Sequence, residues 1–180
     1  NNYCNTYLGR GWSDVYPFDN ILLFWGHSHL FGSGIWGVLK QKIRYLSDIF
    51  INTKRVSAYN VSTNTLHENY KIIFMSNPAM IIGYTSVMFK IAKFIIENDL
   101  DIGKKNNLKT IVVTSENVNP VDIKTIEEAF KVPCVIEYGM VETGVIAYSN
   151  LESKKLKFFW DSHIGFKSKN NTLLLTTISK

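Results

Sequence analysis

The sequence predicts an α/β fold: a mostly parallel sheet flanked by helices, with an antiparallel strand extension towards its C-terminal end. Three observations predict it. Five short apolar or β-branched runs alternate with helical stripes as far as Gly144. Four further strand-like runs then follow one another with no helical pattern between them. The length, 180 residues with 46% apolar side chains, suits one ordinary domain with a real core. Residues 1–144 therefore read as an α/β subdomain, and residues 145–180 as a β-meander extension of the same domain.

In chain order, Ile21-Leu-Leu-Phe-Trp25 is a continuous apolar run of the kind a buried strand needs. Ile35, Val38, Leu39, Ile43 and Leu46 form a helical stripe over Ser33–Leu46, and Arg55–Asn60 reads as a second strand. Ser62, Thr63 and Asn64 are N-cap candidates for a helix ending at Met75. Met80–Gly83 is the third strand, and a helix striped by Met88, Phe89, Ala92, Ile95 and Ile96 covers Ser86–Asn98. Asp99–Leu108 is polar and reads as a loop, followed by the β-branched strand Thr110–Thr114. Pro120 opens a helix running to Phe130, and Val132–Tyr138 is the fifth strand. Val145–Ser149, Leu156–Trp160, Ile164–Lys167 and Leu173–Thr177 complete the set.

Composition excludes several classes. The net charge of +5 comes from basic residues scattered among acids, with no unbroken basic tract for a nucleic-acid arm. Two cysteines, Cys4 and Cys134, cannot build a disulfide framework, and Cys134 in an apolar run reads as a buried, inert thiol. The longest apolar stretch, Ala79–Ile96, carries Lys90 and Lys93 and a polar break, so no membrane span is expected. No secretory signal is visible in Asn1–Asp14, and a cytoplasmic location is the simplest expectation. The missing initiator Met and the abrupt end after a strand-like run suggest a piece of a longer protein.

Ligands of open parallel sheets sit beyond the carboxyl ends of the strands. The segments expected there, His27–Gly34, Asn60–Thr65, Gly83–Ser86, Thr114–Asn117 and Tyr138–Gly144, are rich in Gly, Ser, Thr, His and Glu. In Tyr138-Gly139-Met140-Val141-Glu142-Thr143-Gly144, Gly139 lets backbone approach a ligand, and Glu142 offers a hard carboxylate for Mg2+; an exposed turn is the plain alternative. Ser115-Glu116 ends the fourth strand, where Glu116 either lines a pocket or favours the dipole of the helix opened by Pro120. His27 and His29 lack the further ligands a zinc site needs, so each is a pocket wall or a hydrogen-bonded loop residue. Thr85 or Ser86 as a helix cap accounts for the polar pair after Gly83 and Tyr84. No Walker loop or dinucleotide fingerprint is present.

The order of these pieces resembles the adenylate-forming superfamily of acyl-CoA synthetases, peptide-synthetase adenylation domains and luciferases, and within it the phenylacetate-CoA ligase and CapK-like branch. Pro17-Phe-Asp-Asn-Ile-Leu-Leu23, His29-Leu-Phe-Gly32, Pro78–Ser86 with Ile91-Ala92, Thr114-Ser-Glu116, Tyr138-Gly-Met-Val-Glu142 and Leu174-Leu-Thr-Thr177 match its segments in sequence order. Only the Tyr-Gly-x-x-Glu piece is specific by itself. The resemblance implies ATP-dependent activation of a small carboxylic acid as an acyl-adenylate, then transfer to a thiol such as CoA or to an amine. It implies a place in aryl or acyl activation or in capsular polysaccharide biosynthesis. Glu142 would hold Mg2+ as the catalytic and metal residue. Ser115, Glu116, Tyr138 and Gly139 would line the adenine pocket, with Met140 and Val141 beside the ribose and phosphate. His29, Gly83 and Tyr84 would face the acyl group. The resemblance also places a phosphate loop and a C-terminal lid domain in the remainder of a full-length protein. Val141 stands where the family carries a Thr or Ser hydroxyl, so a non-catalytic nucleotide- or acyl-binding module of the same fold is the alternative.

Overall fold

A computed structural model describes residues 2–26, 35–59, 62–102, 107–170 and 172–178. The elements run α1 (Asn2–Gly11), β1 (Ile21–Trp25), α2 (Ile35–Phe50), β2 (Thr53–Ser57), α3 (Thr63–Ser76), β3 (Met80–Tyr84), α4 (Thr85–Glu97), β4 (Thr110–Thr114), α5 (Pro120–Phe130) and β5 (Cys134–Met140). The strands β6 (Gly144–Ser149), β7 (Leu156–Phe158), β8 (His163–Lys167) and β9 (Leu173–Thr177) follow without an intervening helix. Seven strands form one sheet in the order β2-β1-β3-β4-β5-β6-β7, parallel through β5 and antiparallel beyond it. The strands β8 and β9 pair only with each other, so the expected extension divides into a continuation of the main sheet and a separate antiparallel ribbon.

Alternation along each strand divides the core into two faces. Leu22, Phe24, Ile81, Ile111, Val113 and Cys134 pack against Ile73 of α3, Met88, Ile91 and Ile95 of α4, and Ile126 and Phe130 of α5. Ile21, Met80, Ile82, Val112 and Val135 point the other way, into a cluster with Val15, Tyr148 and Phe159. Burial on both sides is why β1, β3 and β4 read as unbroken apolar runs. Each fully buried aliphatic side chain contributes about 1.5–3 kcal/mol of transfer free energy. Cys134 is fully buried, and that burial pushes its thiol up to about 12, which leaves it inert at neutral pH.

The helix ends follow local chemistry. The Ser62 hydroxyl accepts the Thr65 N–H of α3, and Asn77 closes that helix in the left-handed region at φ 44°. The Asn119 side chain accepts the Val121 N–H beside Pro120, and Asp122 stands in the first turn of α5. Among the described residues, no helix is long and apolar enough to cross a membrane.

Sequence pattern does not predict α1. Its Asn, Tyr, Cys and Thr residues are poor helix formers, and tertiary contacts hold it instead. Gly9 lies flat against the Tyr148 ring, and a Cβ there would overlap that ring. The buried Asn5 amide donates to the Val145 carbonyl of β6 and to the Ser162 hydroxyl. Gly9→Ala should therefore lower stability by about 1–3 kcal/mol through overpacking, measured as a shift in the denaturant midpoint. Gly11→Ala, with nothing within 4 Å of the added methyl, should stay within about 0.5 kcal/mol of the wild type. Equal effects at both positions would contradict the docking of α1 on Tyr148.

Candidate functional site

The parallel register aligns the ends of the central strands. Tyr84 of β3 pairs with Thr114 of β4, and Thr114 pairs with Glu137 of β5, so one row crosses the sheet just before its carboxyl rim. Tyr84 stacks on Trp25 at the end of β1, with ring centroids 4.8 Å apart. Tyr59, beyond β2, lies over Gly26, where an added Cβ would come within 2.6 Å of its ring. Trp25, Tyr84 and Tyr59 thus make an aromatic wall on one side of the rim. The contribution of Tyr59 went unread in the sequence because it follows β2 outside any motif. Gly83 is buried, and its missing side chain leaves room for Met88 and Phe24, each 3.1 Å from where a Cβ would stand. His29 lies outside the described residues.

At the end of β4 the chain turns sharply. Ser115 adopts φ 65°, a left-handed conformation that costs a non-glycine residue about 1 kcal/mol. That turn sends Glu116 back over the start of α4, where its carboxylate accepts the Ser86 N–H at 2.7 Å and the Ser86 hydroxyl at 2.9 Å. The helix needs this outside acid, because α4 has no acidic residue in its first turn and its N-cap Tyr84 gives no side-chain hydrogen bond. Glu116 does serve a helix dipole, but that of α4 and not of α5. Thr85 and Ser86 are accordingly the first two helical residues and not the cap. The Thr85 hydroxyl is buried with no hydrogen-bond partner among the described residues.

The strand β5 runs on through Tyr138, Gly139 and Met140, two residues further than the apolar pattern suggests, and pairs antiparallel with β6. The register shifts by one residue between Tyr138 and Gly139. A Cβ on Gly139 would stand 2.6 Å from the Gly144 carbonyl oxygen, so only glycine allows this backbone approach. The turn Val141–Thr143 then projects past the rim; Val141 is 99% exposed, Met140 is 41% exposed, and Glu142 is exposed.

The carboxylates near this rim are in unlike states. Glu137 accepts the Tyr148 hydroxyl, and burial beside Glu137 pushes that phenol well above its ordinary value. Glu116 is held by Ser86. Glu142 makes no hydrogen bond or ion pair to a described residue, so it is the rim carboxylate available to a cation. No group of three or more His, Cys, Asp or Glu side chains gathers to hold a metal among the described residues. A single projecting carboxylate does not make a dedicated metal cage. It fits Mg2+ that arrives on a phosphate and keeps most of its water. A cavity of about 300 Å3 lies elsewhere, lined by Trp12, Ser149, Asn150, Leu151, Glu152 and Lys157. It sits by the Ser149 end of β6, at the amino ends of the parallel strands, away from this rim.

The clamp at α4 makes a direct prediction. Glu116→Ala should lower stability by about 1 kcal/mol. Combined with Ser86→Ala, its effect should fall short of the sum by about 0.5–1 kcal/mol in a double-mutant cycle. Strict additivity would mean that the Ser86 hydroxyl does not interact with the Glu116 carboxylate in solution.

No protein-family model matches the chain, and no curated protein matches it. Solved structures do. The chain is similar to 2-hydroxyisobutyryl-CoA ligase in complex with an acyl-AMP, with TM-score 0.70, 16% identity, and coverage of 98% of this chain and 38% of that one. It is similar to an AMP-forming acyl-CoA synthetase-like protein from Dyadobacter fermentans (TM-score 0.56, 13% identity, 98% of this chain, 46% of that one). A third match is apo MatB from Rhodopseudomonas palustris (TM-score 0.55, 8% identity, 96% and 32%). The chain thus spans less than half the length of each of these structures. At such identities the likeness is one of fold: this α/β sheet with its antiparallel continuation is the architecture found in adenylate-forming ligases.

Proposed function

We propose that the chain forms the nucleotide- and acyl-binding part of an ATP-dependent carboxylate-activating ligase. The observation that carries this reading is the projecting Tyr138–Glu142 strand end, whose one uncommitted carboxylate stands at the tip of the hairpin that Gly139 closes. The acyl-AMP bound by a structural neighbour of the same fold supports it.

In this reading the substrate carboxylate attacks the α-phosphorus of ATP, the bond to the β-phosphate breaks, and pyrophosphate leaves. The acyl-adenylate is then attacked by a thiol such as that of CoA, or by an amine, and AMP leaves. Glu142 would hold the Mg2+ that accompanies ATP, and that ion would offset charge on the phosphates. Because the Glu116 carboxylate is occupied by Ser86, the adenine meets the strained backbone at Ser115 and the faces of Tyr138 and Gly139. Met140 and Val141 stand beside the ribose and phosphate. Tyr84, backed by Trp25, faces the acyl group, while Gly83 acts by letting α4 approach the sheet. The groups that bind the outer phosphates and the lid that closes on the adenylate belong, on this reading, to parts of a longer protein. The phenylacetate and capsular-polysaccharide branch supplies the favoured substrate class, aryl or acyl acids, on the strength of its segment order alone.

One observation favours the second reading, a binding module without catalysis. Val141 stands in the position of the expected hydroxyl and is 99% exposed, so nothing in the packing requires an apolar side chain there.

The test is ATP–pyrophosphate exchange by the complete protein with Mg2+ and a panel of aryl, fatty and amino acids. Exchange stimulated by one acid supports the ligase, and Glu142→Ala should then cost at least about 100-fold, roughly 2.7 kcal/mol of transition-state stabilisation. Val141→Thr should leave stability unchanged within about 0.5 kcal/mol and tighten nucleotide binding. A folded protein that binds AMP but exchanges with no acid is the binding module. Activity of Glu142→Ala within a few-fold of wild type would remove that residue from the mechanism.

A further inference from the structure

Behind the exposed turn lies a buried polar chain that continues the Asn5–Ser162 contact of α1 and that the functional reading does not use. His163 opens β8 and is 1% exposed. Its Nε2 is 3.1 Å from the Thr143 carbonyl oxygen, and its Nδ1 is 2.8 Å from the Ser162 hydroxyl. The Ser162 oxygen accepts the Asn5 amide at 2.7 Å, and the same amide donates to the Val145 carbonyl at 3.0 Å.

The donor inventory fixes the direction of this chain. A carbonyl only accepts, so Nε2 must carry the hydrogen that points at Thr143. Nδ1 of a neutral imidazole then accepts from Ser162. The Ser162 hydroxyl also lies 3.2 Å from the Phe159 carbonyl, so its hydrogen is shared between that oxygen and Nδ1. The contacts run from Asn5 through Ser162 and His163 to Thr143, with the Phe159 carbonyl as a second acceptor beside Ser162. Buried networks of this kind hold geometry because a broken link leaves an unpaired polar group away from water.

We infer that His163, backed by Ser162 and Asn5, is a positioning residue that fixes the β5–β6 turn and so aims Glu142 at the nucleotide-borne Mg2+. The inference rests on the functional reading above and deepens it, giving the β8–β9 ribbon and α1 a part in the site. The turn needs such a brace. Val141 and Glu142 are solvent-exposed, and Gly144 turns the chain at φ 72°, so an exposed strand end of this kind opens readily without an anchor. His163 reaches the one carbonyl between Glu142 and Gly144.

Two substitutions separate the brace from simple packing. His163→Leu removes both ring hydrogen bonds; His163→Gln keeps an N–H close to the position of Nε2. Hydrogen exchange in the turn (residues 141–145) and calorimetric ATP affinity, with Mg2+ and in EDTA, are measured on the complete protein. In His163→Leu, turn exchange should rise about tenfold while β3 and β4 stay protected. ATP affinity with Mg2+ should fall about tenfold, and affinity in EDTA should change less than about twofold. His163→Gln should recover both to within about threefold of wild type. Unchanged turn exchange, an equal loss of affinity with and without Mg2+, or a Gln variant as impaired as the Leu variant would each overturn the inference. If His163→Leu does not fold, Ser162→Ala decides: wild-type turn exchange and Mg2+-dependent affinity in it overturn the brace, and intermediate losses support it. If the wild type binds no ATP, the functional reading fails, and the exchange data alone then decide whether His163 holds the turn.

Discussion

The rim of this sheet depends on one backbone contact, the approach of Gly139 to the carbonyl of Gly144. There the sheet changes from parallel to antiparallel, and the register slips by a residue. Any side chain at Gly139 would push β6 away, and with it the turn that carries Glu142. The same contact places Tyr148 of β6 where it can donate to Glu137, and Tyr148 in turn is the surface on which Gly9 of α1 rests. The packing of the second sheet face therefore traces back to one glycine pair at the junction.

Three glutamates near that rim have three different fates, and the differences follow from their surroundings. Glu116 is turned inward by the left-handed Ser115 and satisfies the start of α4. Glu137 lies on the sheet face under Tyr148. Glu142 sits at the tip of a hairpin with solvent around it. A carboxylate already accepting two hydrogen bonds has less to offer a cation than one left in water, which is why the proposed function assigns the Mg2+ to Glu142. The fold supplies the rest by subtraction: it spends the other acids on structure.

Much of the architecture was legible because strands buried on both faces announce themselves as continuous apolar runs. The strands at Thr110–Thr114 and Leu173–Thr177 and the helix at Pro120–Phe130 match the pattern residue for residue. The helix α1 was not legible, since its stability lies in contacts with residues more than a hundred positions away. For the same reason the partner of Glu116 could not be read: Ser86 is 30 residues distant, and local logic pointed to the nearer helix at Pro120. The contact of His163 with Thr143 appears only when β8 is brought under the turn after β5, 20 residues away in the chain. The separation of β8–β9 into its own ribbon was equally hidden, because four consecutive strands look alike whether they share a sheet or not.

The central claim is that adenine nucleotide binds at the carboxyl rim of the parallel strands. Hydrogen exchange of the complete protein with and without AMP locates the ligand directly. The account predicts protection in the segments after β4 and around the β5–β6 turn, residues 114–119 and 138–145, with the rest of the sheet unchanged. Protection confined to the cavity between Trp12 and Lys157 at the opposite end of the sheet, or none anywhere with AMP demonstrably bound, would contradict it.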